Sequence, residues 1–141
     1  SETLRQALSR FAEGRMAQVQ QVAACNAQHR LDERLARWLL TLHDRAEDDR
    51  IDLTQADIAG MLGVRRATVS EVGTVLEDRK LIQRGRGWVR VRDRDCLEAA
   101  SCGCYGLMRQ VMKDLALPQP EAGPEAGSEA AGSRDGRLAT R

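Results

Sequence analysis

The sequence predicts a mainly α-helical fold with one small β-hairpin, in which a long helix precedes a winged helix-turn-helix. Three observations carry that expectation. Apolar residues recur at helical spacing through two N-terminal segments. A helix, a glycine and a second helix then follow in one register between Thr54 and Asp78, and two short β-type runs flank Gly85-Arg86-Gly87.

The chain has 141 residues, 42% hydrophobic and 30% charged, which suits one modest core. No apolar run approaches the roughly 18 residues of a membrane span, and the start lacks a basic-then-apolar leader, so no membrane partner and a cytoplasmic location are expected. Ser1 opens directly into helical sequence, which suggests a fragment of a longer protein. Net charge is only +1, but it is unevenly spread. Between residues 60 and 92, Arg65, Arg66, Arg79, Lys80, Arg84, Arg86, Arg90 and Arg92 face only Glu71, Glu77 and Asp78. Such a local basic excess matters more for nucleic-acid binding than the overall balance.

Residues 2–29 read as one helix, with Leu4, Leu8, Phe11, Val19 and Val22 forming an apolar stripe expected to dimerise. Gly14 costs about 1 kcal/mol relative to Ala in a helix interior, and Arg15 interrupts the stripe, so the helix needs a partner. A second helix over 31–45 places Leu35, Trp38, Leu39 and Leu42 on a core face, with Glu33 four residues ahead of Arg37 as a supporting pair. His43, at its end, is expected to be solvated or capping. Ile51 and Leu53 allow only a very short strand. Residues 81–84 and 88–91 form the hairpin, a candidate wing. A last helix is expected from Asp95 through Leu97, Leu107, Val111 and Leu115, with Asp95 capping it against Glu98 and Pro118 ending it. The organisation is therefore a dimerisation helix over 1–29, a winged helix-turn-helix with a C-terminal helix over 30–117, and a disordered tail over 118–141, rich in Glu, Ala, Gly and Pro.

The central motif meets the steric demands of a helix-turn-helix one by one. Thr54 caps the first helix with Asp57 as reciprocal partner. Ile58 and Leu62 face inward, Ala59 is small where the helices cross, and Gly63 supplies the left-handed turn. Val64, Val69, Val72 and Leu76 bury the second helix, about 65–78. That register leaves Arg66, Ala67, Ser70 and Glu71 outward as base-reading candidates for a major groove, Arg66 matching guanine and Glu71 cytosine. Thr54, Gln55, Arg65, Thr68 and Thr74, together with Arg84 and Arg86 on the wing, are candidates for the DNA backbone.

Other chemistries are weaker. No nucleophile–base pair, phosphate loop or cofactor motif stands out, so neither catalysis nor a cofactor is expected. Cys25, Cys96, Cys102 and Cys104 read as free thiols. Cys96-x5-Cys102-x-Cys104 lacks Cys-x2-Cys knuckles and a nearby histidine, so no metal site is expected. A thiol or metal sensor built on Cys96, Cys102 and Cys104 is one alternative reading, with Cys96 at a helix start open to redox sensitivity through a lowered pKa. A protein-binding winged helix is the other alternative, resting on Trp88, which is expected either as a single exposed aromatic or packed beneath the wing.

Residues Ala23-Ala24-Cys25-Asn26, Arg34-Leu35-Ala36-Arg37-Trp38-Leu39-Leu40, Leu53-Thr54-Gln55, Met61-Leu62-Gly63-Val64-Arg65-Arg66-Ala67-Thr68 and Leu97-Glu98-Ala99-Ala100-Ser101-Cys102 resemble the C-terminal part of the Crp/Fnr family of bacterial transcription regulators. The resemblance runs roughly from Ala17 to Met108. It implies a homodimer whose long helices pair, a palindromic operator in double-stranded DNA, RNA polymerase as a further candidate partner, and an N-terminal effector domain missing from this chain. Family members commonly carry Glu and Arg where Ala67 and Glu71 stand, so their base preference does not carry over.

Overall fold

The structure, a computed structural model, describes residues 1–115. The expected tail lies outside the described residues. Helix α1 (Glu2–Gln28) runs without a break, capped by Ser1, whose hydroxyl accepts from the Leu4 N–H at 3.4 Å. Gly14 has a packing reason to sit inside this helix. It is buried, and a Cβ there would come within 2.6 Å of Leu115 Cδ1, so its low helix propensity is offset by the close approach of the last helix.

Helix α2 (Leu31–His43) ends two residues earlier than expected and contributes Leu35, Ala36, Leu39 and Leu40 to the core. The expected Glu33–Arg37 pair is not made. Glu33 instead accepts from the Arg30 backbone N–H at 2.9 Å, capping its own helix. Arg37 is 1% exposed and lies over the Trp38 ring, its Nη1 donating to Met108 Sδ at 3.8 Å. The i,i+4 rule assumes a solvated face, and this face is covered.

Strand β1 (Arg50–Asp52), helices α3 (Gln55–Leu62) and α4 (Arg66–Asp78), and strands β2 (Ile82–Gly85) and β3 (Trp88–Val91) complete the winged helix. The three strands form one antiparallel sheet in the order β1-β3-β2, with Ile51 opposite Val89 and Ile82 opposite Val91. The very short strand expected near Ile51 thus becomes the edge beside the hairpin. Ile58, Leu62, Val69, Leu76, Leu81, Ile82, Val89, Val91 and Leu97 meet α2 in a single apolar cluster.

The expected last helix is two. Helix α5 (Arg94–Ala100) and helix α6 (Cys104–Leu115) are separated by a turn at Ser101, which is extended at φ −77° and ψ 160° and bonds back to the Glu98 carbonyl at 2.8 Å. Ser101 competes with the helix for its own backbone, and the break buries Cys102 and Tyr105. The cap is Asp93 rather than Asp95, its carboxylate accepting from the Cys96 N–H at 2.9 Å. His43 is neither solvated nor a cap. Its Nδ1 accepts from Arg94 at 2.6 Å and its Nε2 meets Asp49 at 2.9 Å. Arg94 also donates to Asp44 at 2.6 Å and to the Tyr105 hydroxyl at 2.7 Å, locking the end of α2 to both C-terminal helices.

Candidate nucleic-acid interface

The interface is built outward from the α3–α4 turn. Thr54 Oγ1 accepts from the Asp57 N–H at 3.1 Å, and Asp57 accepts from the Thr54 N–H at 2.9 Å, so the expected capping box forms. Those bonds hold the Asp57 carboxyl below its ordinary range. Gly63 closes α3 at φ 67° and ψ 39°, the left-handed conformation that a side chain rarely adopts. Arg34 of α2 donates to the Leu62 carbonyl at 2.8 Å, satisfying an end of α3 that the helix itself leaves open.

Helix α4 starts after Arg65 and buries Val69, Gly73 and Leu76. Arg65, Arg66, Ala67, Glu71 and Thr74 are exposed, while Thr68 and Ser70 are half-buried. Thr54 and Gln55 are exposed at the start of α3. Arg65 and Arg66 make no ion pair among the described residues, which leaves their guanidinium groups available to an external anion or base edge.

Arg84 corrects an expectation. Placed on the wing to meet DNA backbone, it turns into the protein instead. Its Nη2 and Nε donate to Glu77 at 2.7 and 2.9 Å, Nη1 to the Ser70 carbonyl at 3.2 Å, and Nη2 also to Thr74 Oγ1 at 3.1 Å. The guanidinium lies where a Cβ of Gly73 would collide with it, so bare backbone is what lets it approach α4. A strand side chain faces whichever side the pairing register dictates, and Arg84 opposite Val89 faces α4. Thr74 is committed too, since its hydroxyl donates to the Ser70 carbonyl at 2.9 Å. Arg86 keeps the wing's outward role: it is exposed, unpaired among the described residues, and followed by Gly87 at φ 78°.

Burial raises the Glu77 pKa, but hydrogen bonds and charge from Arg84 outweigh it and hold the carboxyl below the ordinary glutamate range. A depressed folded pKa contributes stability that is complete above the unfolded value and is lost as pH falls through the folded one. The Glu77–Arg84 tie should therefore weaken on acidification, and Glu77→Gln should flatten that limb of an acid-unfolding curve. An unchanged acid limb would show that the pair adds nothing.

Trp88 takes the packed one of its two expected places, and Cys96 departs from the reactive thiol that a helix start would give. Trp88 packs on Gly85, where a Cβ would strike its ring, between Arg50 and Arg90 at 5.2 and 5.9 Å from the ring centroid. The wing's aromatic is thus half-buried and partnered. Cys96 does not gain a lowered pKa from its helix. Hydrogen bonding to Asp93, and then its charge, push the exposed thiol up, away from the reactive thiolate.

The histidine expected to be absent from the cysteines is present. His29 Nδ1 lies 3.4 Å from Cys104 Sγ, and Cys25 Sγ lies 3.5 Å from Cys102 Sγ. The signal available was Cys25-x3-His29, one turn apart on α1. All four cysteines are free thiols, and burial followed by contact with Cys25 pushes Cys102 up to about 12.

The Crp-like helix-turn-helix domain model matches residues 33–100. Among solved structures, the chain is similar to a CRP-family transcriptional regulator from Thermus thermophilus, at 27% identity and a TM-score of 0.62 over 72% of this chain and 54% of that one. A protein assigned to the crp/fnr family of transcriptional regulators from Eubacterium rectale shares the fold at 21% identity and a TM-score of 0.61, over 71% of this chain and 46% of that one. No curated relative matches. The chain spans about half the length of these solved regulators. No helix among the described residues is long and apolar enough to cross a membrane. With α3, the Gly63 turn, α4 and the β2–β3 wing in place, residues 33–100 are a Crp-like helix-turn-helix domain, the winged-helix DNA-binding unit of Crp/Fnr regulators.

Proposed function

We propose that this chain binds double-stranded DNA sequence-specifically as a symmetric dimer and regulates transcription, with α4 in the major groove. The carrying observation is the register of α4. Val69 and Leu76 are buried on one side, while Arg66, Ala67 and Glu71 are exposed on the other and Arg65 and Arg66 are without ion pairs among the described residues. In this reading Arg66, Ala67, Ser70 and Glu71 face base edges, and Thr54, Gln55, Arg65, Thr68 and Arg86 meet phosphates. Thr74 and Arg84 serve the interface indirectly, by fixing the wing to α4.

Dimerisation is proposed through α1. Leu4, Leu8, Phe11 and Val19 are 60, 59, 67 and 60% exposed, and Met16, also 60% exposed, joins them. Val22, in phase with Leu4 on this face, is half-buried. Large apolar side chains repeated along one helix favour a second copy over water. Two α4 helices in such a dimer would read half-sites about 34 Å apart, which calls for a palindromic operator.

Selection of bound sites from random duplex, followed by affinity measurements across a salt series, tests the reading. The expected result is an enriched palindrome bound with a steep inverse salt dependence. Arg86→Ala should weaken selected and random duplex alike and reduce the log–log salt slope by about 1. No enrichment, together with salt-insensitive binding, would overturn the function.

A further inference from the structure

Cys25 sits in the last turn of α1 and His29 caps that end, while Cys102 lies in the turn between α5 and α6 and Cys104 opens α6. The topology brings them together across more than seventy residues of sequence. One ligand atom from each lies within 4.8 Å of every other. The three cysteines are 0, 5 and 4% exposed. We propose that Cys25, His29, Cys102 and Cys104 form a tetrahedral site for a single Zn2+-class ion that fastens α1 to the winged helix.

Geometry, donor chemistry and position support the site. A Zn–S bond of about 2.3 Å sets ligand–ligand edges of about 3.8 Å in a tetrahedron. The observed 3.5 Å between Cys25 and Cys102 sulfurs, and 3.4 Å between Cys104 Sγ and His29 Nδ1, need only small adjustment to reach that edge. Three thiolates and an imidazole are a closed donor set typical of structural zinc, with no carboxylate of the kind that suits Mg2+ or Ca2+. Ligands this close together surround one ion rather than the separate irons of a cluster. Gln21 Nε2 donates to Cys104 Sγ at 3.0 Å, an outer-shell hydrogen bond that would orient the thiolate.

Binding is balanced without a redox partner. The hydrated ion sheds water, up to three thiol protons leave to solvent, and three metal–sulfur bonds and one metal–nitrogen bond form. The consequence is mechanical. Helix α1 otherwise meets α6 through side-chain packing such as Gly14 on Leu115, whereas a metal would fix its angle to the DNA-binding unit.

The chain, purified with reductant and stripped with chelator, can be titrated anaerobically with Co2+ and then with Zn2+. The expected result is one Co2+ per chain, with the ligand-field bands of a tetrahedral site and thiolate charge-transfer absorption, both erased stoichiometrically by Zn2+. Cys102→Ser and the milder His29→Gln should each weaken binding at least about tenfold, while Cys96→Ser, outside the cluster, should leave it unchanged. Far-UV circular dichroism of His29→Gln separates ligand loss from misfolding. The proposal is overturned by absent tetrahedral bands, by unchanged affinity in both ligand variants, or by binding lost in Cys96→Ser. A chain that takes no Co2+ yet forms a Cys25–Cys102 disulfide on mild oxidation would also overturn it, in favour of a redox pair. None of these outcomes depends on DNA binding.

Discussion

Leu76→Ala is expected to destabilise the chain by about 2–5 kcal/mol, the range for large-to-small changes at fully buried aliphatic sites. Leu76 is 0% exposed on α4, within the cluster that α2, α3, α4 and the β-hairpin share. Its carbonyl also accepts from the Leu81 N–H at 3.0 Å, where the chain leaves α4 for the wing. Because helices and sheet close on it together, the cavity left by three missing carbons has no single element free to collapse into it. Urea unfolding followed by circular dichroism measures the effect, with the midpoint lowered and the slope preserved. A loss below about 1 kcal/mol would mean that the core relaxes around the site and that α4 is held elsewhere. Exposed Arg66→Ala provides the internal comparison, since a surface truncation should stay within about 0.5 kcal/mol of the parent.

Arg66→Ala should instead act on DNA, costing about 1–3 kcal/mol on the selected operator, or roughly 5- to 150-fold in affinity. A guanidinium that bridges two acceptors of guanine loses both bonds at once when truncated, and the cost falls on the one base pair it reads. The diagnostic is therefore the ratio between operator and random duplex, measured at one salt concentration. It should fall for Arg66→Ala and hold for Arg86→Ala. If both variants lower the two affinities in proportion, Arg66 touches only phosphate, and sequence is read by Ser70, Glu71 or the shape of the duplex.

What the sequence revealed, and what it hid, follows the range of each interaction. Thr54 with Asp57, and Gly63 with its positive φ, act within four residues, so their roles were readable from spacing alone. The buried register of Val69 and Leu76 followed from helical period. The break at Ser101 was hidden because Leu97, Val111 and Leu115 stay within about 40° of one face of a continuous helix, while a local serine hydroxyl decides otherwise. Asp93 and Asp95 are chemically equal as caps, and α5 starts at Arg94, which is held by His43, Asp44 and Tyr105, with Leu97 in the core. Arg84 and the Cys25–His29–Cys102–Cys104 cluster needed tertiary contacts. A strand's facing is set by its neighbours, and residues separated by more than seventy positions meet only once α6 lies along α1. Lys80 belongs with these: it takes φ 59° after α4, a place where glycine would be the ordinary signal of a helix end.

The strut from Arg84 to Glu77, Ser70 and Thr74 bears on how fast and how selectively a half-site can be recognised. A wing left free would sample many orientations, and each encounter with a duplex would have to freeze it, with the lost entropy subtracted from affinity. Here that ordering takes place on folding. On the proposed mode of binding, α4 and the wing would meet the duplex as one rigid template, and a mismatched groove would not be accommodated by bending the wing to suit. Discrimination in that mode would fall to the departure rate of the complex, a wrong site being met as readily as a right one but released sooner.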